Sequence, residues 1–265
     1  MVDGFVLEKI VAGAGIGSED LVIEIGPGVG ALTQALKKEA GHVIAIELDK
    51  TLVSVLKDLF ADAAVTIVHG DILKIDLPCL VKPYRNMNIK AVANLPYYIT
   101  TPVIFNLLEG ETVFDSITVM VQKEVANRMS AKPGTKDYGA LTLAVQYFAD
   151  VSLVANVPVN CFMPRPAVDS AVVKLCVLKE PKIDVSKEMF SKVVKAAFGK
   201  RRKTLVNCLN GFGFGKAELE EMLANVGINP GSRGETLDLH AFGELAKALS
   251  SSCIATSVVH LEEPV

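Results

Sequence analysis

The stretch LVIEIGPGVGALTQAL, Leu21 to Leu36, limits the fold more than any other part of the chain. A run of β-branched and apolar residues ends in three glycines and passes at once into a segment with helical spacing. That is the pattern of a buried strand, a tight turn and a helix packed back on it. Four more apolar segments follow: His42–Leu48, Val65–His69, Ile89–Ala93 and Ser116–Gln122. Amphipathic stretches such as ALTQALKKEA and TLVSVLKDLFADA lie between these segments. Such alternation implies βαβ units and a mostly parallel sheet. Two further strands, Val151–Val157 and Ser170–Leu178, are separated by PVNCFMPRPAVD, which is too short for a crossover helix. They are expected as an antiparallel pair at the sheet edge, completing an α/β sheet of seven strands.

Beyond Lys182 no strand pattern survives. SKEMFSKVVKAAF, RRKTLVNCL, KAELEEMLANVG and DLHAFGELAKALS all carry helical periodicity, punctuated by Gly211, Gly213, Gly215, Pro230 and Gly231. The expected organisation is an α/β domain over residues 1–181, a small all-helical domain over 182–250 and a patternless tail over 251–265. The boundary is placed at KEPKIDV, where Pro181 sits among charged residues.

Half of the 265 residues are hydrophobic, enough for a sizeable core. No apolar run approaches the roughly 18–20 residues of a membrane span, and no secretory signal pattern opens the chain. Five cysteines without a CxxC pair, and four histidines, predict reduced thiols in a cytoplasmic protein with no metal site. Nothing marks an oligomer interface, so a monomer is the default. The net charge is −3, yet Ser191 to Ala217 holds seven Lys or Arg and no acid. The densest part includes Lys195, Lys200, Arg201, Arg202 and Lys203, a patch that attracts polyanions unless it is simply a solvated helix face.

The glycines Gly26, Gly28 and Gly30 are spaced GxGxG, which does not fit the GxGxxG of dinucleotide binders. Glu24 stands two residues before the turn, where it would repel a pyrophosphate and suit an ammonium. A ligand with an amino-acid end and a nucleoside end answers that chemistry, which points to S-adenosylmethionine. Glu47, followed by Leu48, closes the second strand where a carboxylate can accept both ribose hydroxyls. Asp71 can take a hydrogen bond from the adenine amine, with Ile72 against the ring. Each residue alone also fits an ordinary strand end; three acids at successive carboxyl ends of parallel strands make the joint case.

ANLPYYIT, Ala93 to Thr100, follows the fourth strand onto the same edge. An exocyclic base amine is a poor nucleophile because its lone pair is delocalised into the ring. The side-chain carbonyl of Asn94 and the backbone carbonyl of Leu95 can accept from the amine and favour a pyramidal nitrogen. Pro96 fixes the turn, and Tyr97 offers a ring for an unstacked base. The plain alternative is a turn whose tyrosines pack inward, and packing is the only role expected of Tyr98.

Together EIGPGVGALT, HGDIL, NLPYYIT, QKEVANRM, FMPRPAVDSAV and AFGKRRKTL resemble the ribosomal-RNA adenine dimethyltransferase family, in family order and over nearly the whole chain. The resemblance implies a Rossmann-like class I methyltransferase sheet carrying a helical RNA-binding domain. It implies that S-adenosylmethionine methylates the amines of two adjacent adenosines near the 3′ end of small-subunit rRNA, on the rRNA or an immature small ribosomal subunit. It assigns Gly26, Gly28, Glu47, Asp71 and Asn94 to the cofactor side, to which the reading of the residues adds Glu24, Leu48 and Ile72. It assigns Asn94, Leu95, Tyr97 and Phe162 to the target base, with Pro96 setting the turn between them. The phenylalanine of the family's FxPxP packs on the flipped adenine, although CFMPRP also reads as a proline-stiffened loop. The basic cluster, with Arg165, would then grip phosphates. The family's opening GQNFL pattern is missing before MVDGFVLEKIV, which leads to an expectation of weak cofactor binding. Competing readings are a resistance-type methyltransferase of large-subunit rRNA, whose members usually carry isoleucine where Leu95 stands, and an RNA-binding assembly factor without turnover. An NAD-dependent oxidoreductase fails on the glycine spacing.

Overall fold

A computed structural model describes residues 3–61, 63–200 and 202–259. The chain runs α1 (Gly4–Ala14), β1 (Asp20–Ile25), α2 (Ala31–Glu39), β2 (His42–Glu47), α3 (Lys50–Leu59), β3 (Val65–His69), α4 (Leu77–Val81), β4 (Asn88–Asn94) and α5 (Thr100–Glu109). It continues with β5 (Ser116–Gln122), α6 (Lys123–Met129), α7 (Ala140–Phe148), β6 (Ala149–Val157), β7 (Ser170–Val177), α8 (Lys187–Gly199), α9 (Leu205–Cys208), α10 (Lys216–Asn225) and α11 (Leu239–Val259).

The strands form one sheet in the order β3-β2-β1-β4-β5-β7-β6. The first five are parallel, and β7 runs antiparallel to both β5 and β6. All seven expected strands are present, their ends moved by no more than two residues. Strand β1, inside the sheet between β2 and β4, is buried along its whole length, as a parallel strand covered on both faces must be. The outermost strand β6 exposes residues along its length.

Helix α1 is a part of this unit that matters for the site. Asp3 caps it by accepting from the Phe5 N–H at 2.8 Å. Val6, Ile10 and Ala14 bury themselves in the cluster that includes Val22, Leu36, Val92, Met120 and Val172. At its other end the helix leaves carbonyls without intrahelical partners. Two lysines from the sheet satisfy them: Lys174 donates to the Ala14 carbonyl at 3.1 Å, and Lys90 donates to the Gly15 carbonyl. Cations at a helix C-terminus also oppose the negative end of its dipole. Lys90 in turn pairs with buried Asp20 at 2.6 Å, and Asp20 accepts from the Gly17 N–H and the Asn88 amide.

The second compact unit consists of residues 128–148 and 180 onward. This differs from the expected division at residue 181. Tyr138, Leu143 and Tyr147 lie in the same buried cluster as Phe190, Val193, Leu205, Leu223 and Phe242. The Tyr138 hydroxyl donates to the Leu237 carbonyl at 2.7 Å, and the Tyr147 hydroxyl to the Val185 carbonyl at 2.8 Å. Apolar matching, not chain order, therefore decides which unit owns α7. Residues 149–179 return to the first unit as β6 and β7. The expected patternless tail is also corrected. Helix α11 runs on to Val259, beyond Ser250, and residues 260–265 lie outside the described residues.

Burial would raise the Asp20 pKa, but the hydrogen bonds from Lys90, Gly17 and Asn88 and the Lys90 charge hold it below the usual carboxylate value. A lowered folded-state pKa means stabilisation that is present above the unfolded value and lost as pH falls through the folded one. Lys90→Met leaves Asp20 buried and unpaired at neutral pH, at a cost of about 3–5 kcal/mol. Denaturant titration is expected to show that gap at pH 7 and its narrowing below about pH 4.

Candidate functional site

The turn after β1 is built from Gly26, Gly28 and Gly30, with φ of 69°, 59° and 83°. Side chains disfavour that region, so the backbone itself demands glycine. A Cβ on Gly30 would also come within 2.6 Å of the Phe60 ring, whereas beside Gly26 and Gly28 the space is open. The turn borders a cavity of about 140 Å³ whose lining includes Leu7, Ile10, Glu24, Asn94 and Met120. It lies at the carboxyl ends of β1, β4 and β5, the edge where open α/β sheets bind ligands.

Glu24 is 1 % exposed, and neither carboxylate oxygen has a hydrogen-bond partner. Burial pushes its pKa to about 8 and the nearby Glu47 charge adds to that, while Thr33 works against it. Thr33 does not close a hydrogen bond of full geometry, since its own hydroxyl is unpartnered. At neutral pH burial therefore keeps a proton on Glu24, an uncharged acid in an apolar wall.

Glu47 is placed differently. One oxygen accepts from the Gly28 N–H at 3.1 Å and the other from the Asp49 N–H at 2.9 Å. The carboxylate thereby ties the end of β2 to the glycine turn and retains further lone pairs. Leu48, next to it, is 62 % exposed. Asp71 caps its own turn by accepting from the Leu73 N–H at 3.0 Å and lies 3.7 Å from Lys74. Ile72 is buried, and its carbonyl accepts from the Asn106 amide at 3.1 Å.

Asn94 is the last residue of β4, level with Met120 on β5. Leu95 is buried, and its N–H donates to the Met120 carbonyl at 3.3 Å, which fixes the peptide that follows Asn94. The Pro96 carbonyl closes the turn by accepting from the Ile99 N–H and the Thr100 hydroxyl, each at 3.2 Å. Tyr97 is half-buried, its hydroxyl sharing a 2.8 Å hydrogen bond with Ser170. Tyr98 overturns its expected packing role, because it is 81 % exposed. Tyr97 takes the inward place that Ser170 offers, and the tight turn sends the next side chain out.

The loop between β6 and β7 is pinned to the same edge. Asp169 accepts from the Val159 N–H through its side chain and from the Lys123 N–H through its carbonyl. The Asp3 N–H donates to the Cys161 carbonyl at 2.9 Å, joining α1 to this loop. Phe162 is half-buried against the cluster under α1, while Met163 and Arg165 are exposed. In the helical unit Lys195, Lys200, Arg202 and Lys203 are exposed, with Lys200 and Lys203 joined in one turn. Arg201 lies outside the described residues.

Sequence reasoning did not find Leu7, Ile10, Thr33, Met120 or Ser170. The first four look like ordinary core residues of a helix or strand. The partner of Tyr97 lies 73 positions away, with no local pattern to announce it. Among the described residues no group of His, Cys, Asp and Glu could hold a metal, and no helix is long and apolar enough to cross a membrane.

A family model described as ribosomal RNA adenine dimethylase matches residues 1–250. The chain belongs to that family. Relatives of this dimethylase named ribosomal RNA small subunit methyltransferase A include one from Clostridioides difficile, 48% identical, covering 95% of this chain and 88% of its own. Another, from Lachnoclostridium phytofermentans, is 49% identical over 93% of this chain and 87% of its own. A dimethyladenosine transferase from Plasmodium falciparum superposes with a TM-score of 0.82 at 28% identity, covering 95% of this chain and 98% of that one. The 23S rRNA methyltransferase ErmE shares the dimethylase fold, with a TM-score of 0.72 at 24% identity over 94% of this chain and 98% of its own.

The raised pKa of Glu24 makes a directional prediction for this dimethylase. Unfolding releases the carboxyl to its ordinary value, so stability is full below about pH 4.5 and falls as pH rises toward about 8. Glu24→Gln is expected to remove that slope. Thermal melts of the ligand-free protein should show the variant gaining on the parent between pH 5 and pH 8; parallel curves would contradict the buried neutral acid.

Proposed function

We propose that the chain transfers methyl groups from S-adenosylmethionine to the exocyclic amines of two adjacent adenosines near the 3′ end of small-subunit rRNA. The product is dimethyladenosine, made during ribosome biogenesis. The observation that carries this reading is the family match across residues 1–250, with Asn94 lining the cleft and the Leu95–Tyr97 turn directly after it. The names of the curated relatives favour the small subunit over the large one.

The residues fit the cofactor. Both oxygens of Glu24 lack partners, and an ammonium satisfies them. Its approach favours the ionised carboxylate, so binding draws the proton off Glu24. Space is open beside Gly26 and Gly28 for close approach of a ligand to backbone. Glu47, oriented by two N–H groups, has lone pairs left for ribose hydroxyls, with Leu48 beside it, and Asp71 and Ile72 continue along the edge toward an adenine ring. When bound, S-adenosylmethionine supplies an electrophilic methyl group on a sulfonium.

The target amine is held by the Asn94 side-chain carbonyl and the Leu95 carbonyl, which accept its two hydrogens and leave the lone pair free. Leu95 is held by Met120, and Pro96 sets the angle between the two acceptors. Tyr97, its hydroxyl tied to Ser170, presents its ring to the base, and Phe162 closes the opposite side. No strong general base is required when the proton departs after methyl transfer. Rate enhancement comes from positioning and from the fixed acceptors. Arg165, Lys195, Lys200, Arg202 and Lys203, with Arg201, supply cations for RNA phosphates.

Labelled S-adenosylmethionine and immature small ribosomal subunits are expected to give dimethyladenosine in small-subunit rRNA on nucleoside analysis. Label confined to large-subunit rRNA would overturn the assignment. Asn94→Ala should abolish turnover while RNA affinity stays within about twofold of the parent. Converting Lys200, Arg202 and Lys203 to alanine should flatten the dependence of log K on log salt by about 2. In calorimetry the same variant should bind S-adenosylmethionine as the parent does.

A further inference from the structure

We propose that Tyr98 is a second base platform, stacking on the nucleotide that flanks the target adenosine. A single exposed tyrosine is ordinary on a protein surface. This one follows directly after the ring proposed to receive the target base, yet the two rings have opposite surroundings. Tyr97 is half-buried and tied to Ser170 at 2.8 Å, whereas Tyr98 is 81 % exposed. The backbone between them is stiff: Pro96 precedes Tyr97, and the Pro96 carbonyl accepts from both Ile99 and Thr100. Tyr98 therefore stands at a fixed place four residues after the cleft-lining Asn94, with a large apolar face in water.

The chemistry of the substrate fits that face. Drawing one base out of a strand strips its neighbour of a stacking partner. An aromatic side chain replaces the lost stack whatever the identity of the base, because every base has a π-face. Successive nucleotides of one strand would then meet successive residues of one turn: the target at Tyr97 and its neighbour at Tyr98. This inference rests on the RNA adenosine reading above. It adds to that reading a means of holding the second adenosine while the first is methylated.

The chain contains no tryptophan, so Tyr98→Trp introduces a lone fluorescent reporter. The probe is an end-labelled RNA hairpin with two adjacent adenosines in its loop, read by anisotropy for binding and by tryptophan emission for stacking. Emission is expected to fall in step with binding. Tyr98→Ala should weaken binding roughly tenfold, the size of one base–aromatic stack, and Tyr98→Phe should bind as the parent does. The alanine penalty should vanish on hairpins in which the flanking adenosine is replaced by an abasic site. Binding without a change in emission, or an equal penalty on intact and abasic RNA, would overturn the role of Tyr98 and leave methyl transfer standing. Failure of the parent protein to bind the hairpin, together with failure to methylate immature small subunits, would overturn both readings.

Discussion

Parallel strands joined by crossover helices must all finish on the same edge of the sheet, and the residues that close them are gathered there whatever their distance in sequence. Glu24, Glu47, His69 and Asn94 stand near or at the ends of β1, β2, β3 and β4 for that reason alone. The glycine turn makes room beside them, and Glu47 locks the turn through the Gly28 N–H. The antiparallel pair β6–β7 then returns the chain so that Ser170 meets Tyr97 and the 158–169 loop reaches the same edge. The proposed chemistry needs this convergence, because no one strand carries all of its groups.

The site carries an electrostatic conflict. Glu24 is buried near the Glu47 charge, no described group hydrogen-bonds its oxygens, and only its own proton keeps it neutral. A structural acid would be paired, as Asp20 is with Lys90 at the other end of β1. The two acids on one strand differ: Asp20 is held ionised by its partners, whereas burial keeps the proton on Glu24. Above the ordinary carboxylate pKa, burial of Glu24 costs the ligand-free protein stability.

Much of this was legible in the sequence because its signals are local. The GxGxG turn after an apolar run, the acid before it and the alternation of strands and helices mark a ligand-binding parallel sheet within the first hundred residues. NLPYYIT and FMPRP identify the family because each is a short unbroken string. What the sequence hid is long-range. The lysines that anchor α1 act across 75 and 160 positions, and nothing in FVLEKIV announces that Leu7 and Ile10 face a cleft. The exposure of Tyr98 is hidden in the sequence because it depends on which of two adjacent tyrosines the fold draws inward.

The path of the chain through its two compact units has a consequence for dissecting the molecule. Residues 128–148 belong with the helices that begin after residue 180, and residues 149–179 belong with the sheet. A fragment ending at residue 180 would retain Tyr138, Leu143 and Tyr147 but lose Phe190, Val193, Leu223 and Phe242, which complete their cluster. Its aromatic and aliphatic faces would be left in water, and such a fragment would tend to self-associate. No single cut releases either half intact, because each unit is made of separate stretches of chain.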